Sequence, residues 1–581
     1  MKRLPFFDNP VLRVHYPLWR GRLVLILLGF AFLALALRAL YLQGFTTEFL
    51  QQRGERIYES TLTLHASRGK ILDRNGVVLA ASVPARSIAI RPKDTRDASP
   101  KKLQQLAALL ELSQEDLRKK IAEEKPFVYL KRQVPLEVAQ KIKDLNVPGL
   151  IQQPDNRRLY PESEVMANVV GFNNLEDRGQ EGVELAFNEQ LSGQAGSRRI
   201  MRDRLGRTIE SVGAVDFPVD GHDIKLALDT RIQYQVYRAL QDAMVTNKAK
   251  GAAAVVIDVK TGEILALGNM PTYDPNRRDS FRGGNLRNQA LTDTFEPGSI
   301  MKPFTVGLAL DLKRITPATL FNTGNGKFSY QGATISDVSA NGTLDPAGVL
   351  LKSSNIGMTL ISEKLQSREM WTRFNELGLG QVPQTGFPGA AAGRLRPYER
   401  WRLIEKATMS YGYGLSVSLL QMARAYTVFA RDGELIPVSL DKQPEGKAVH
   451  GQRVFSVKTA QTMRGMLQTV TEAGGTSPQA QVAGYSVGGK SGTAYKHVGK
   501  GYDKTKYRAW FVGLAPIDKP RIVVAVMVDE PGNGRYFGGD VAAPVFSQVV
   551  QQTLRMMNVS PDLEVKPGIV TKNLPAETES F

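Results

Sequence analysis

The chain has 581 residues and a formal charge of +18, from 75 Lys and Arg against 57 Asp and Glu, with no cysteine. That length allows two or more domains, each with its own core. The basic surplus is spread out, with no Lys/Arg block interleaved with aromatics; this argues against a nucleic-acid partner and for a surface near anionic lipid or an acidic polymer. Without cysteine there are no disulfides, no thiolate catalysis, no Cys-based zinc site and no lipoprotein anchor. The histidines, His15, His65, His222, His450 and His497, offer no pair at helical ligand spacing. No metal and no cofactor is therefore expected.

The first element in chain order is an apolar run from Leu23 to Leu42, interrupted only by Arg38. As a helix it spans about 30 Å, one hydrocarbon core. Arg38 lies near the far end, where its stem can snorkel. Lys2, Arg3, Arg13, Arg20 and Arg22 precede the run against only Asp8, which keeps residues 1–22 cytoplasmic and sends the rest outward. The run is long, and no small-x-small cleavage site follows it, so a retained signal-anchor over 23–42 is expected rather than a cleaved signal peptide.

Residues 45–230 alternate strand-like runs, turns and charged helices and read as an elongated mixed domain. "GKILDRNGVVLAAS" reads as two strands around an Asn75-Gly76 turn. "SPKKLQQLAALLELSQEDLRKKIAEE" reads as a helix capped by Ser99. The segment Phe217 to Gly221 is the expected boundary. Residues 231–560 carry two strand pairs, "AAAVVIDV" with "EILALGNM" around Lys260-Thr261-Gly262, and "AWFVGLAP" with "RIVVAVMVDE" around Ile517 to Pro520. Strands at both ends with helices between them predict an antiparallel sheet flanked by helices. The overall fold class is α+β, and residues 561–581 are expected to be disordered.

Three motifs carry chemistry. "EPGSIMKPF" places Ser299 and Lys302 three apart behind a Pro-Gly turn, at the start of an apolar-periodic helix. Pro303 is tolerated there because first-turn amides lack helical partners. An amine buried among apolar groups and near another cation loses its proton more easily and can serve as a base. Three other Ser-x-x-Lys matches, Ser67/Lys70, Ser99/Lys102 and Ser439/Lys442, lack this setting. "LLKSSNIGM" offers Ser353 and Asn355, with a helix cap as the alternative role for Ser353. Ser339/Asn341 has the same spacing in a turn cluster. "YSVGGKSGTAY" supplies Lys490, Ser491 and Thr493 to hold a carboxylate, and its glycines, Gly492 among them, let a ligand approach a strand edge. Gly484 to Ser491 also matches a phosphate loop, followed later by Asp529. A phosphate loop must open a helix, and "GTAYKHVGKGYDKTKY" lacks helical periodicity.

Ser-x-x-Lys, Ser-x-Asn and Lys-Ser-Gly-Thr, in that order and separated by 54 and 137 residues, resemble the three motifs of penicillin-binding proteins. "RGKILDRNGVVLA", "RRLYPESEVMANVVGF" and "GQEGVE" resemble the pedestal of class B members, and "YGYGLSVSLLQMARAY" and "YFGGDVAAPVF" their catalytic domain. The single anchor and the "YGYG" stretch are most similar to the division-specific, septal type. The resemblance implies a pedestal (dimerisation-type) domain over 45–230 and a transpeptidase domain of serine β-lactamase-like fold over 231–560. It implies an enzyme of the bacterial inner membrane, with its catalytic domain in the periplasm. Ser299 would be the nucleophile, Lys302 its base and Ser353 a proton relay. Asn355 would orient the peptidoglycan stem peptide, and Lys490, Ser491, Gly492 and Thr493 would bind it. Expected partners are the D-Ala-D-Ala donor, an amine acceptor, β-lactams, the membrane, and divisome proteins including a glycosyltransferase. An elongation-specific transpeptidase and a non-catalytic division scaffold are the alternatives.

Overall fold

The computed structural model describes residues 17–45, 59–64, 66–202, 208–281, 286–446, 448–498 and 501–564. The chain divides into two compact units, Met1–Ala66 with Gln194–Val219, and Ser67–Gly193 with Asp220–Phe581. In the first unit a helix runs over Leu18–Leu40 with no buried residue and continues as a π-helical turn, Tyr41–Phe45. It begins before and ends beyond the expected 23–42. Phe30 and Phe32 are 66% and 71% exposed, which suits lipid and not water. Strand Gly196–Arg202 of the same unit pairs antiparallel with both Glu59–Leu64 and Thr208–Asp216.

The second unit begins with a sheet whose long strand, Val78–Ile90, pairs antiparallel with both Val128–Pro135 and Leu150–Leu159. The Asn75-Gly76 turn is present: Asp73 Oδ1 accepts the N–H groups of Asn75 and Val77, and Gly76 takes φ +89°. The single helix expected over 99–124 is two, Pro100–Leu110 and Gln114–Ala122. Glu111 at φ 54° ends the first. Ser99 occupies the N-cap position, but its side chain makes no capping bond; Ser113 caps the second helix by accepting the Asp116 N–H. Leu110 and Leu117 are a heptad apart, so the apolar stripe passes through the break unchanged.

The three pedestal-like stretches, the first far in sequence from the other two, meet at one buried carboxylate. Glu184 accepts Arg68 Nε at Oε2 and Arg158 Nε at Oε1, each at 2.7 Å. Arg68 also donates to the carbonyl oxygens of Glu184 and Asp177, to Asn188 Oδ1 and to Ser192 Oγ. All three charged side chains are sealed from solvent.

The rest of this unit is built on a five-stranded antiparallel sheet. Its strands are β1 (Gly251–Asp258), β2 (Ile264–Met270), β3 (Gly488–Val498), β4 (Gly501–Ala515) and β5 (Ile522–Asp529). The spatial order is β2-β1-β5-β4-β3. Strand β5 pairs with β1 in the register Val524↔Val256, so the first and last strand pairs close on each other. Every residue of β1 and β2 is buried. Helices cover both faces, and alternate residues enter different cores. Ala252, Ala254 and Val256 pack with α1 (Thr230–Asn247) and α6 (Ala543–Met556). Ala253, Val255 and Ile257 face the core shared with α2 (Lys302–Asp311) and α4 (Leu419–Ala430). The helices α3 (Asn355–Glu363) and α5 (Val457–Thr471) complete this lobe.

The Lys260-Thr261-Gly262 turn joins β1 to β2 as expected, with Gly262 N–H donating to Asp258 O. Strand β4 starts earlier than expected, at Gly501, because "GTAYKHV" and "GYDKTKY" form a hairpin. That hairpin removes the phosphate-loop reading: residues 484–491 open a strand, not a helix. The expected disordered tail, 561–581, begins within the described residues, where Asp562 binds Ser486; from 565 on it lies outside them.

Candidate active site

Ser299 sits in a 3-10 turn, Gly298–Met301, that feeds directly into α2. The α-helix therefore begins at Lys302, not at Ser299. The turn is fixed from several sides. Gly298 takes φ +61° and donates to Gly412 O at 3.1 Å. Ile300 O accepts Tyr426 Oη at 2.8 Å. A Cβ on Gly412 would stand 2.0 Å from Gly298 O, so the "YGYG" stretch grips the Ser299 turn through a residue that must be glycine.

Lys302 is fully buried. Its Nζ donates to Ser353 O at 2.5 Å and to Asn355 Oδ1 at 2.8 Å, with Ser353 Oγ at 3.2 Å. Burial above all, then the like charge of Lys490, pushes the Lys302 ammonium well below the ordinary lysine range; Asp337 acts in the opposite sense. A neutral amine has two hydrogens. The two shorter contacts use both, which leaves its lone pair to accept a proton.

Ser353 sits between helix Pro346–Leu351 and α3 at φ 55°. It is not the helix cap. Ser354 is, accepting the Gly357 N–H at 2.8 Å. Asp337 locks this corner: Oδ1 accepts the N–H groups of Asn355 at 2.6 Å and Ile356 at 3.1 Å, and Oδ2 accepts Ser354 Oγ at 2.5 Å. The Ser339/Asn341 decoy is an exposed turn two residues further on, bonded to itself. Ser354→Ala removes the cap and one Asp337 partner and costs about 1 kcal/mol, whereas Ser353→Ala leaves the urea midpoint near wild type. Unfolding curves of the two variants check this split.

The third motif lies on β3, the edge strand of the sheet. Lys490 is fully buried, and burial lowers it to about 7; its Nζ donates to Ser491 O at 3.1 Å. Ser491 and Thr493 are half-buried. Thr493 Oγ1 accepts the Gly538 N–H at 3.1 Å, from the "YFGGD" stretch. A Cβ on Gly492 would lie 2.8 Å from Pro297 O. Glycine is therefore what lets the strand close on the Ser299 turn.

The structure thus brings the expected residues together: the Ser299 turn runs into Lys302, Lys302 contacts Ser353 and Asn355, and the Lys490–Thr493 edge meets the turn at Gly492. The three other Ser-x-x-Lys pairs lie elsewhere. Sequence reading missed Asp337, which sits in a segment that reads only as a turn and acts on residues 17 to 19 positions away. It also missed the contact role of Gly412, for which the quoted "YGYG" was the available signal. Among the described residues no group of acidic and histidine side chains is arranged to hold a metal.

Comparison with known proteins identifies the domains. Residues 252–551 match the penicillin binding protein transpeptidase domain, and residues 63–226 match the penicillin-binding protein dimerisation domain. The chain is 41% identical over 547 residues to a probable peptidoglycan D,D-transpeptidase PenA of Neisseria meningitidis, covering 93% of this chain and 94% of the relative. It is 37% identical over 552 residues to the peptidoglycan D,D-transpeptidase FtsI of Escherichia coli, covering 94% and 93%. Among solved structures, the transpeptidase domain of Burkholderia pseudomallei penicillin-binding protein 3 aligns with 57% identity and a TM-score of 0.55, over 58% of this chain and 98% of that one. A peptidoglycan synthetase from Bifidobacterium adolescentis aligns with 26% identity and a TM-score of 0.68, over 87% and 98%. With both domains matched behind one apolar helix, and relatives aligned over nearly their whole length, the chain belongs to the penicillin-binding proteins, in their class B form.

Proposed function

We propose that the protein is a septal peptidoglycan D,D-transpeptidase that works through an acyl-serine intermediate. The observation that carries the chemistry is Lys302: a fully buried amine, depressed by burial and by Lys490, held by Ser353 and Asn355 one turn from Ser299. Neutral Lys302 takes the Ser299 proton as Oγ bonds to the carbonyl carbon between the two terminal D-alanines. The oxyanion rests on the N–H groups of Ser299 and Thr493, worth roughly 3–4 kcal/mol per donor in other acyl-transfer enzymes. As the C–N bond breaks, the proton on Lys302 passes through Ser353 to the departing D-alanine nitrogen. An amine from a second stem then attacks the ester, its proton returns to Ser299 Oγ, and the crosslink is released. Asn355 orients the stem, and Lys490, Ser491, Gly492 and Thr493 hold its terminal carboxylate. β-Lactams acylate the same serine.

Lys490 holds a carboxylate only as the ammonium, and it titrates at about 7. Its charge is present below that pH and lost above it. The second-order rate of penicillin acylation therefore falls as pH rises through about 7–8, with a slope approaching tenfold per unit. A rate that stays level to pH 9 contradicts the assignment.

The basic residues ahead of the apolar helix support a periplasmic catalytic unit, which would there meet peptidoglycan, a glycosyltransferase and other division proteins. The septal role rests on the "YGYG" resemblance and the single anchor. Depletion of the protein from growing cells distinguishes the readings: filaments support the septal role, whereas rounded cells support an elongation enzyme. Purified protein that releases D-alanine from a stem peptide and joins it to an amine excludes a purely scaffolding role.

A further inference from the structure

Strand β3 does not end at the motif. Beyond Thr493 it runs on to Tyr495 and His497, and there a cleft of about 610 Å³ opens beside the residues that lead into the Ser299 turn. Three arginines line it, Arg394, Arg396 and Arg508, together with His497; the acidic residue in the lining is Glu296. These charges are not equally available. Arg396 pairs with Glu405 at 3.0 Å and Arg508 with Asp529 at 2.8 Å. Arg508 also lies over the Phe295 ring at 3.7 Å, which fixes its plane. Glu296 Oε1 accepts the Gly414 N–H at 2.8 Å and Tyr502 Oη at 3.0 Å, and its Oε2 is buried. Glu296 therefore lines the cleft with Oε1 already committed to two donors. Arg394 is exposed, and its bonds are made by its backbone, in a bridge to Ser416. The cleft therefore offers a guanidinium with no carboxylate partner among the described residues, backed by two more that are already oriented.

The direction of the strand says which part of a ligand reaches it. In the proposed function the terminal carboxylate lies near Lys490 and the scissile carbonyl near Thr493. A peptide laid along the free edge of β3 then continues past Tyr495 and His497, away from its C-terminus. At about 3.3 Å per residue, the cleft lies roughly 7–13 Å beyond Thr493, or two to four residues N-terminal to the scissile bond.

We propose that this cleft binds a side-chain carboxylate of the donor peptide, two to four residues before the bond that is cut, with Arg394 as its principal partner. Arg396 and Arg508 raise the local positive potential and narrow the choice of geometry. The site thereby distinguishes an acidic stem from its amidated counterpart. This inference rests on the transpeptidase reading of the neighbouring motifs.

The test uses synthetic peptides ending in D-Ala-D-Ala that carry a glutamate at the second, third or fourth position before the scissile bond, each paired with its glutamine counterpart. Affinity is measured on full-length Ser299→Ala protein in detergent, which binds without turnover. At one of these positions the acid is expected to bind about 10- to 100-fold tighter than the amide, the range of a charge-assisted bond. Arg394→Gln brings that ratio close to one, and Arg394→Lys restores part of it. Equal affinity for acid and amide at all three positions, or a preference that survives Arg394→Gln, overturns the proposal. Labelling of the wild-type protein by a fluorescent penicillin reports separately on the transpeptidase reading. Labelling without an acid–amide difference rejects this inference alone, whereas loss of labelling rejects the reading beneath it.

Discussion

Lys302→Met lowers the rate at which penicillin acylates the protein by about 10²–10⁴-fold, the usual contribution of a positioned general base, and leaves the fold intact. Methionine is close to lysine in length and apolar, and the side chain it replaces is fully buried. The substitution therefore removes the amine without opening a cavity or stranding a charge. What is lost is the lone pair: Ser353 and Asn355 remain, but nothing takes the Ser299 proton. Lys302→Arg is the sharper control. It keeps a cation at the site but cannot lose its proton, so it is expected to be as slow as the methionine variant. An arginine variant with near wild-type acylation would mean that Lys302 acts as a fixed charge and not as a base.

Glu184→Ala destabilises the chain by about 3–5 kcal/mol, the cost of removing one side of a buried ion pair. Glu184 is the counter-charge for two arginines, Arg68 and Arg158, and all three side chains are sealed from water. With the carboxylate gone, two guanidiniums stay buried with only neutral acceptors, and Arg158 already has one nitrogen, Nη2, without a partner. The three charged residues come one from each pedestal-like stretch, so losing the carboxylate also loosens the strand Leu150–Leu159 that carries Arg158. Urea unfolding of the detergent-solubilised full-length chain measures the effect. A loss below about 1 kcal/mol would show that the neutral bonds to Arg68 suffice.

Much of the catalytic unit was legible because its signals are local. Apolar runs such as "AAAVVIDV" are strands buried on both faces, and the Lys260-Thr261-Gly262 and Asn75-Gly76 turns fix their own conformation. The three motifs, which the structure brings together, were legible because each pairs a polar side chain with a local reason for its backbone: a turn before a helix, a corner between helices, a glycine on a strand. What stayed hidden depends on contacts across long stretches of chain. Whether Ser353 or Ser354 caps α3 turns on a one-residue choice of backbone angle, which composition does not encode. Asp337 acts on residues 17 to 19 positions away, and its own segment reads only as a turn. Arg394 and Arg508 are 114 residues apart and line one cleft only in the folded chain. The helix break at Glu111 was masked by an apolar stripe that kept its phase across it.

Ser299 is the residue expected to be acylated. The most direct measurement is peptide mapping by mass spectrometry after reaction of the full-length protein with penicillin. The predicted result is a single covalent adduct on the peptide containing Ser299, absent from Ser299→Ala protein. An adduct on another residue, or one that persists in the Ser299→Ala variant, would contradict it.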